Sequence, residues 1–203
     1  MKNLKYLAFG ILALFVVIAN VKAAVCTDDT CEAQVGTVKY DTLANAIAAA
    51  EDKAVVELLK DITISNKIAV EKDGEITIDG KGFKVTATAR KAFEVYAKDD
   101  ADADTDKSLK ITFKNIKIEN TYKSTSSQDA RAIDTRTDHI ELVIESSELS
   151  TTNPDNSHAQ PVTIGGSDTG RVKVTITDTT ITGGDASYAF ITYLPVDLKS
   201  WKQ

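Results

Sequence analysis

EITIDGKGF (75–83), KITFKNIKI (110–118), ELVIESSEL (141–149) and KVTITDTTI (173–181) share one pattern. In each, two apolar residues stand two apart and a third follows five positions after the second: Ile76, Ile78 and Phe83; Ile111, Phe113 and Ile118; Leu142, Ile144 and Leu149; Val174, Ile176 and Ile181. The second residue recurs at 78, 113, 144 and 176, in steps of 35, 31 and 32. Recurrence every few tens of residues marks a solenoid. The windows are rich in Ile, Val, Thr and Phe in period-two alternation, which makes each a half-buried strand and not a helix.

The residues between the apolar ones point outward. If the repeats stack in register they form two ladders, Thr77–Thr112–Val143–Thr175 and Asp79–Lys114–Glu145–Thr177. Unlike charges then neighbour one another in the second ladder, which favours parallel stacking by roughly 0.2–1 kcal/mol per pair. Two positions past the second apolar residue come Gly80, Asn115, Ser146 and Asp178, types that tolerate bends. Each repeat is expected to turn a corner there. Weaker strand-like pieces fall at 92–95, 130–133, 161–164 and 188–193. A strong strand, a corner, a short continuation and a weaker strand describe one coil of a parallel β-helix, with loops thrown out at the corners. The longest such loop is AKDDADADTDKS (97–108).

Residues 1–23 have a Lys-bearing start, an apolar run over 7–18 and a small-residue ending at Val21 and Ala23. They read as a secretory signal peptide, which places the protein outside the cell or on its surface. The run is shorter than the ~20 residues of a membrane span, and no later segment is apolar enough for one. A membrane anchor is the alternative. Without residues 1–23 the chain has 180 residues, 21 basic and 30 acidic, a net charge of −9. That size can bury a core, and that charge argues against nucleic acid.

Cys26 and Cys31 are the only cysteines. In an exported chain they are expected to pair in a disulfide, with two free thiols the alternative. A lone C-x4-C lacks the ligands for a metal site. Residues 24–40 form an N-terminal segment around this pair, and 41–203 form the solenoid domain. Its first element is a helix over 41–51, with Leu43, Ala46, Ile47 and Ala50 on one face and Asp41 or Thr42 as cap. A solenoid needs its first cross-section covered, and this helix is placed to do so. VVELLKDITISNKIAV (55–70) then reads as a first, irregular coil whose spacing departs from the 31–35 step.

The run DTLANAIAAAED, VVELLKDITI and EITIDGKGFKVT resembles the opening of secreted bacterial proteins of the pectin-lyase-like superfamily, most of all their adhesin-like members. The resemblance covers roughly residues 40–86, and the remainder only through the coil pattern. It implies an all-β fold, a single-stranded right-handed parallel β-helix with a short capping helix. The superfamily includes lyases, hydrolases, adhesins and fibres, so fold does not choose among them.

Lyases of this fold hold calcium on carboxylates and use Arg or Lys as base; its hydrolases need paired acids. The densest candidate here is RAIDTRTDH, with Arg131, Asp134, Arg136, Asp138 and His139, a cluster suited to an anionic ligand. Its charges also alternate like an ordinary paired strand face, and the GHG and paired-Asp signatures of the hydrolases are missing. No catalytic residue is assigned. Asp99, Asp100, Asp102, Asp104 and Asp106 imitate the start of a calcium loop, but Thr105 and Ile111 stand where its Gly and bidentate Glu belong. The loop is expected to be solvated, with calcium the only cofactor to consider and no metal site assigned.

A non-catalytic adhesion or binding role towards a glycan or protein partner is therefore expected, with a polysaccharide-cleaving enzyme and a structural spacer or fragment of a longer surface protein as alternatives. His158 falls in a loop sequence, and Tyr122, Tyr188 and Tyr193 read as packing or rim residues. At the C-terminal side the final coil has no second covering helix. Pro195, Trp201 and the Lys-bearing tail are expected to blunt it, and self-association through this edge is the consequence if they do not.

Overall fold

The structure is a computed structural model that describes residues 25–97, 108–123, 129–137, 139–152, 159–165, 172–183, 188–193 and 196–201. The expected signal peptide, the Asp-rich loop, Asp138, His158 and Pro195 lie outside the described residues. No helix among those described is long and apolar enough to cross a membrane.

Among the described residues eighteen strands form three sheets that the chain visits in rotation, and there is one short helix. The first sheet holds β3 (Ala54–Leu58), β6 (Gly74–Asp79), β9 (Leu109–Lys114), β12 (Ile140–Glu145), β15 (Val172–Thr177) and β18 (Val196–Trp201), each parallel to the next. The second holds β4 (Ile62–Ile64), β7 (Lys84–Ala87), β10 (Lys117–Asn120), β13 (Glu148–Thr151) and β16 (Thr180–Thr182). The third holds β5 (Ile68–Lys72), β8 (Lys91–Ala97), β11 (Arg131–Thr135), β14 (Val162–Ile164) and β17 (Phe190–Thr192). The weaker strand-like pieces of the sequence are thus β8, β11, β14 and β17. The molecule is all-β, with parallel sheets around one apolar interior.

Register follows the apolar pattern. Ile78, Phe113, Ile144 and Ile176 are Cα partners in succession, so the 35, 31 and 32 steps are strand-to-strand advances. Ile78, Phe113 and Ile144 are fully buried, and Phe113 meets Phe93 of the third sheet edge-on at 5.1 Å between ring centroids. The irregular first coil is shorter because it throws out less chain: Val56 pairs with Ile78, a step of 22.

One position in the repeat needs correction. Ile118 and Leu149 align with Val85 and not with Phe83. The corner after β6 holds two extra residues, and there Lys81 and Gly82 have φ of 54° and 87°. Phe83 instead occupies the corner position of Ile116, whose carbonyl accepts from Glu148 N just as that of Phe83 accepts from Lys117 N. In later coils one left-handed residue suffices, Asn115, Ser146 or Asp178, with φ of 47–48°. Gly80 is required for closeness and not for φ, because a Cβ there would lie 2.5 Å from Ile116 Cα and 2.6 Å from Asn115 O. Both are backbone atoms that cannot move aside. Gly80→Ala is expected to destabilise the fold by about 1–3 kcal/mol, read as a lower urea midpoint.

The two expected ladders form, and a third lies beside them: Glu75, Lys110, Glu141, Lys173 and Asp197 are successive partners with alternating charge. Lys110 Nζ is 2.7 Å from Glu75, which holds its ammonium above the ordinary value, and Lys173 Nζ is 2.8 Å from Glu141. In the Asp79 ladder Lys114 comes within 3.9 Å of Glu145, while Asp79 accepts from Lys81 N at 2.9 Å and from the Asn115 amide. Turn formation there takes the carboxylate that cross-strand pairing would use.

At the N-terminal end β1 (Ala33–Val35) and β2 (Val38–Tyr40) form an antiparallel hairpin that continues the first sheet beyond β3. AQVGTVKY holds its signal, two alternating runs around a two-residue turn with Gly36 at φ 58°. Cys26 and Cys31 are joined by a disulfide just before it. Helix α1 (Leu43–Ala49) is shorter than 41–51 because Ala50 is already extended, its N–H closing onto Ala46 O and Ile47 O. Thr42 is the N-cap, accepting from Asn45 N at 3.2 Å. Leu43, Ala46, Ile47 and Ala50 are buried and join the core cluster. At the other end the described part of the tail, 196–201, is strand β18 itself, in register with β15.

Candidate functional site

The third sheet repeats a motif that periodicity in the first sheet conceals. Lys91-Ala92-Phe93-Glu94-Val95 and Arg131-Ala132-Ile133-Asp134-Thr135 are the same sequence by type, basic, Ala, bulky apolar, acidic and β-branched, and they align residue for residue. In both the base closes onto the acid three positions later: Lys91 pairs with Glu94, and Arg131 NH1 lies 2.8 Å from Asp134. Gln160 and Thr163 repeat the geometry in the next coil as a neutral pair, their side-chain oxygens 3.2 Å apart.

Stacking joins these pairs into a network. Lys91 Nζ bridges to Asp134 at 2.6 Å, Lys67 reaches Glu94 from the preceding coil, and Asp129 holds Arg131 NH2 at 2.9 Å. Arg136 stands at 3.8 Å from Glu94 and 3.9 Å from Asp134. Glu94 and Asp134 are buried, yet each is surrounded by cations. Burial pushes the Glu94 carboxyl up, but hydrogen bonds from Lys67, Lys91 and Tyr96 outweigh it and hold the group at about 2. Tyr96 is pushed up to about 12 by burial and by its hydrogen bond to Glu94. The carboxylates beside Arg131 outweigh burial and hold its guanidinium above the ordinary value.

Because the folded Glu94 carboxyl lies below the ordinary 4.5, its contribution to stability is fully present above pH 4.5 and is lost as pH falls from there towards 2. The shift corresponds to about 3 kcal/mol. Urea titrations between pH 5 and 2.5 should show that loss, and Glu94→Gln should flatten it.

A cleft of about 480 Å³ opens beside this network, at the corner between the second and third sheets. Ser65, Asn66 and Lys67 line it from the turn between β4 and β5, Thr88, Ala89 and Arg90 from the turn between β7 and β8, Lys91 from the start of β8, and Tyr122 from the segment after β10. Its lining has three cations and no acid. The corner is held by Asn120, fully buried at an inward position of β10, whose amide donates to Arg131 O at 2.7 Å and Ala89 O at 3.0 Å and accepts from Tyr122 N at 2.8 Å. Among the described residues the buried Nε–H groups of Arg90 and Arg131 have no acceptor. Buried donors are almost always satisfied, and one that is not asks for a partner.

The structure therefore brings together Arg131, Asp134 and Arg136 of the sequence-expected cluster. His139 stands apart at the next corner, with φ 56° and its carbonyl accepting from Leu109 N at 3.1 Å. Sequence reasoning missed Lys67, Arg90, Lys91 and Glu94. The repeated basic-Ala-apolar-acidic pentad was the signal available for two of them. Cys26, Asp28 and Cys31 are close enough to suggest a metal group, but both sulfurs are committed to the disulfide. Compared with protein-family models, with curated proteins and with solved structures, the chain matches none.

Proposed function

We propose that this is a secreted or cell-surface protein built as a right-handed parallel β-helix, similar to adhesin-like members of the pectin-lyase-like superfamily. We infer that it binds, without cleaving, an acidic glycan at the cleft of Lys67, Arg90, Lys91 and Tyr122. The sequence supports export through residues 1–23. Rotation through three parallel sheets supports the helix, and right-handed crossovers are the rule for parallel strands.

The observation that carries the ligand class is the cleft lining, in which Arg90 and the Tyr122 ring stand beside Lys67 and Lys91, whose ammonium groups are shared with Glu94 and Asp134 behind them, and no carboxylate lines the cleft itself. A uronate or sulfate matches those donors, and a sugar ring matches the face of Tyr122. The reading without cleavage is supported by the missing GHG and paired-Asp signatures and by Glu94 and Asp134 being bound up in buried ion pairs.

Calorimetry with an oligogalacturonate and with a sulfated oligosaccharide tests this. Binding of at least one, weakened tenfold or more by Arg90→Gln or Lys67→Ala and by raised salt, is expected. Binding of neither, or release of new reducing ends or unsaturated uronate, would overturn the proposal.

A further inference from the structure

We propose that the C-terminal edge of the first sheet is a self-complementary dimer surface, on which β18 pairs antiparallel with β18 of a second copy across a two-fold axis at Leu198. Among the described residues the apolar interior is covered at the N-terminal end and only partly covered at β18. At the N-terminal end Leu43, Ala46 and Ile47 of α1 fill the cross-section, and the hairpin β1–β2 takes the sheet edge. At the C-terminal end Ile176, Ile181, Phe190 and Val196 are only half-covered, and Leu198 is 54 % exposed. Among the described residues nothing pairs with the outer edge of β18. A head-to-tail contact would bring this open section against a filled one. The section that matches it belongs to another copy, which makes the contact isologous and closed.

Charge selects the register. Val196 and Leu198 continue the inward columns of Val172 and Val174, and Asp197 and Lys199 continue the outward columns of Lys173 and Thr175. Antiparallel partners share a face, so a pairing that merges the two interiors must be centred on a residue. Centring on Asp197 sets two aspartates face to face, and centring on Lys199 sets two lysines face to face. Centring on Leu198 sets Asp197 of each copy opposite Lys199 of the other and joins the two exposed leucines. The column Glu75, Lys110, Glu141, Lys173 and Asp197 then continues into the second copy's Lys199 with its alternation unbroken.

The test is sedimentation of the purified chain with charge-reversed variants. Wild type is expected to dimerise with rising concentration. Asp197→Lys alone and Lys199→Asp alone should each weaken dimerisation tenfold or more, since each sets like charges opposite. An equimolar mixture of the two variants should form heterodimers, because both cross-strand pairs then become Lys opposite Asp, and the double variant should dimerise like wild type. Circular dichroism matching wild type confirms that the variants fold; a variant that does not fold is replaced by Asp197→Asn or Lys199→Gln, which should weaken dimerisation less. A monomeric wild type at high concentration, or single variants that dimerise normally, would overturn the proposal. Failure of the mixture and of the double variant to recover dimers would overturn the Leu198 register.

Discussion

Asp134→Ala is expected to lower the stability of the fold by about 3–5 kcal/mol, the cost of breaking a buried ion pair from one side. Asp134 is fully buried and faces two cations, Arg131 at 2.8 Å and Lys91 at 2.6 Å, whose side chains are themselves mostly buried. Removing the carboxylate leaves Lys91 with Glu94 and Arg131 with Asp129, and concentrates positive charge where water is excluded. Urea unfolding followed by circular dichroism should show a large drop in midpoint. Glu145→Ala, which removes only a half-exposed partner 3.9 Å from Lys114, should cost less than about 1 kcal/mol by the same measurement. Equal effects at the two positions would mean that the third-sheet network is no more structural than a surface pair.

Phe113→Ala should be comparably severe, at about 3–5 kcal/mol. Its side chain is fully buried between Ile78 and Ile144 in the stack and meets Phe93 across the interior at 69°. Truncation opens a void that coils on both sides share, and a coil in the middle of a stack supports both neighbours. Ile176→Ala occupies the same column nearer the open end, where the residue is only partly covered. Its cost should be distinctly smaller. The gradient between the two, measured under one set of conditions, tests whether the core thins towards β18.

The first sheet was legible in the sequence because it obeys two simple rules at once. Its strands alternate with period two, and its steps of 35, 31 and 32 vary little, so Ile78, Phe113, Ile144 and Ile176 could be aligned without coordinates. The corner after β6 was misaligned because Gly80, Lys81 and Gly82 insert chain between Ile78 and Val85, and a fixed five-residue spacing takes Phe83 for the next inward residue. The hairpin β1–β2 is signalled by Gly36-Thr37 between two alternating runs, but these are too short to stand out beside the repeats.

The site was only half legible. In RAIDTR the charges are dense along the chain itself, which makes Arg131, Asp134 and Arg136 visible without coordinates. Glu94 hides in an apolar run, and Lys67 and Arg90 stand alone in their turns; only the stacking of β5, β8 and β11 puts them beside one another. The alternation in RAIDTR reads as a solvated face, but Arg131 and Asp134 are buried because β8 and β14 flank β11 on either side.

The central claim, an acidic-glycan site at the corner between the second and third sheets, is tested most directly by mapping amide chemical shifts during titration with an oligogalacturonate and, separately, a sulfated oligosaccharide. The account predicts saturable perturbations with at least one ligand, concentrated at residues 65–67, 88–91 and 122 and abolished by Arg90→Gln. Perturbations confined to the outward ladders of the first sheet, around Thr77, Thr112 and Thr175, or no saturable change with either ligand, would contradict it.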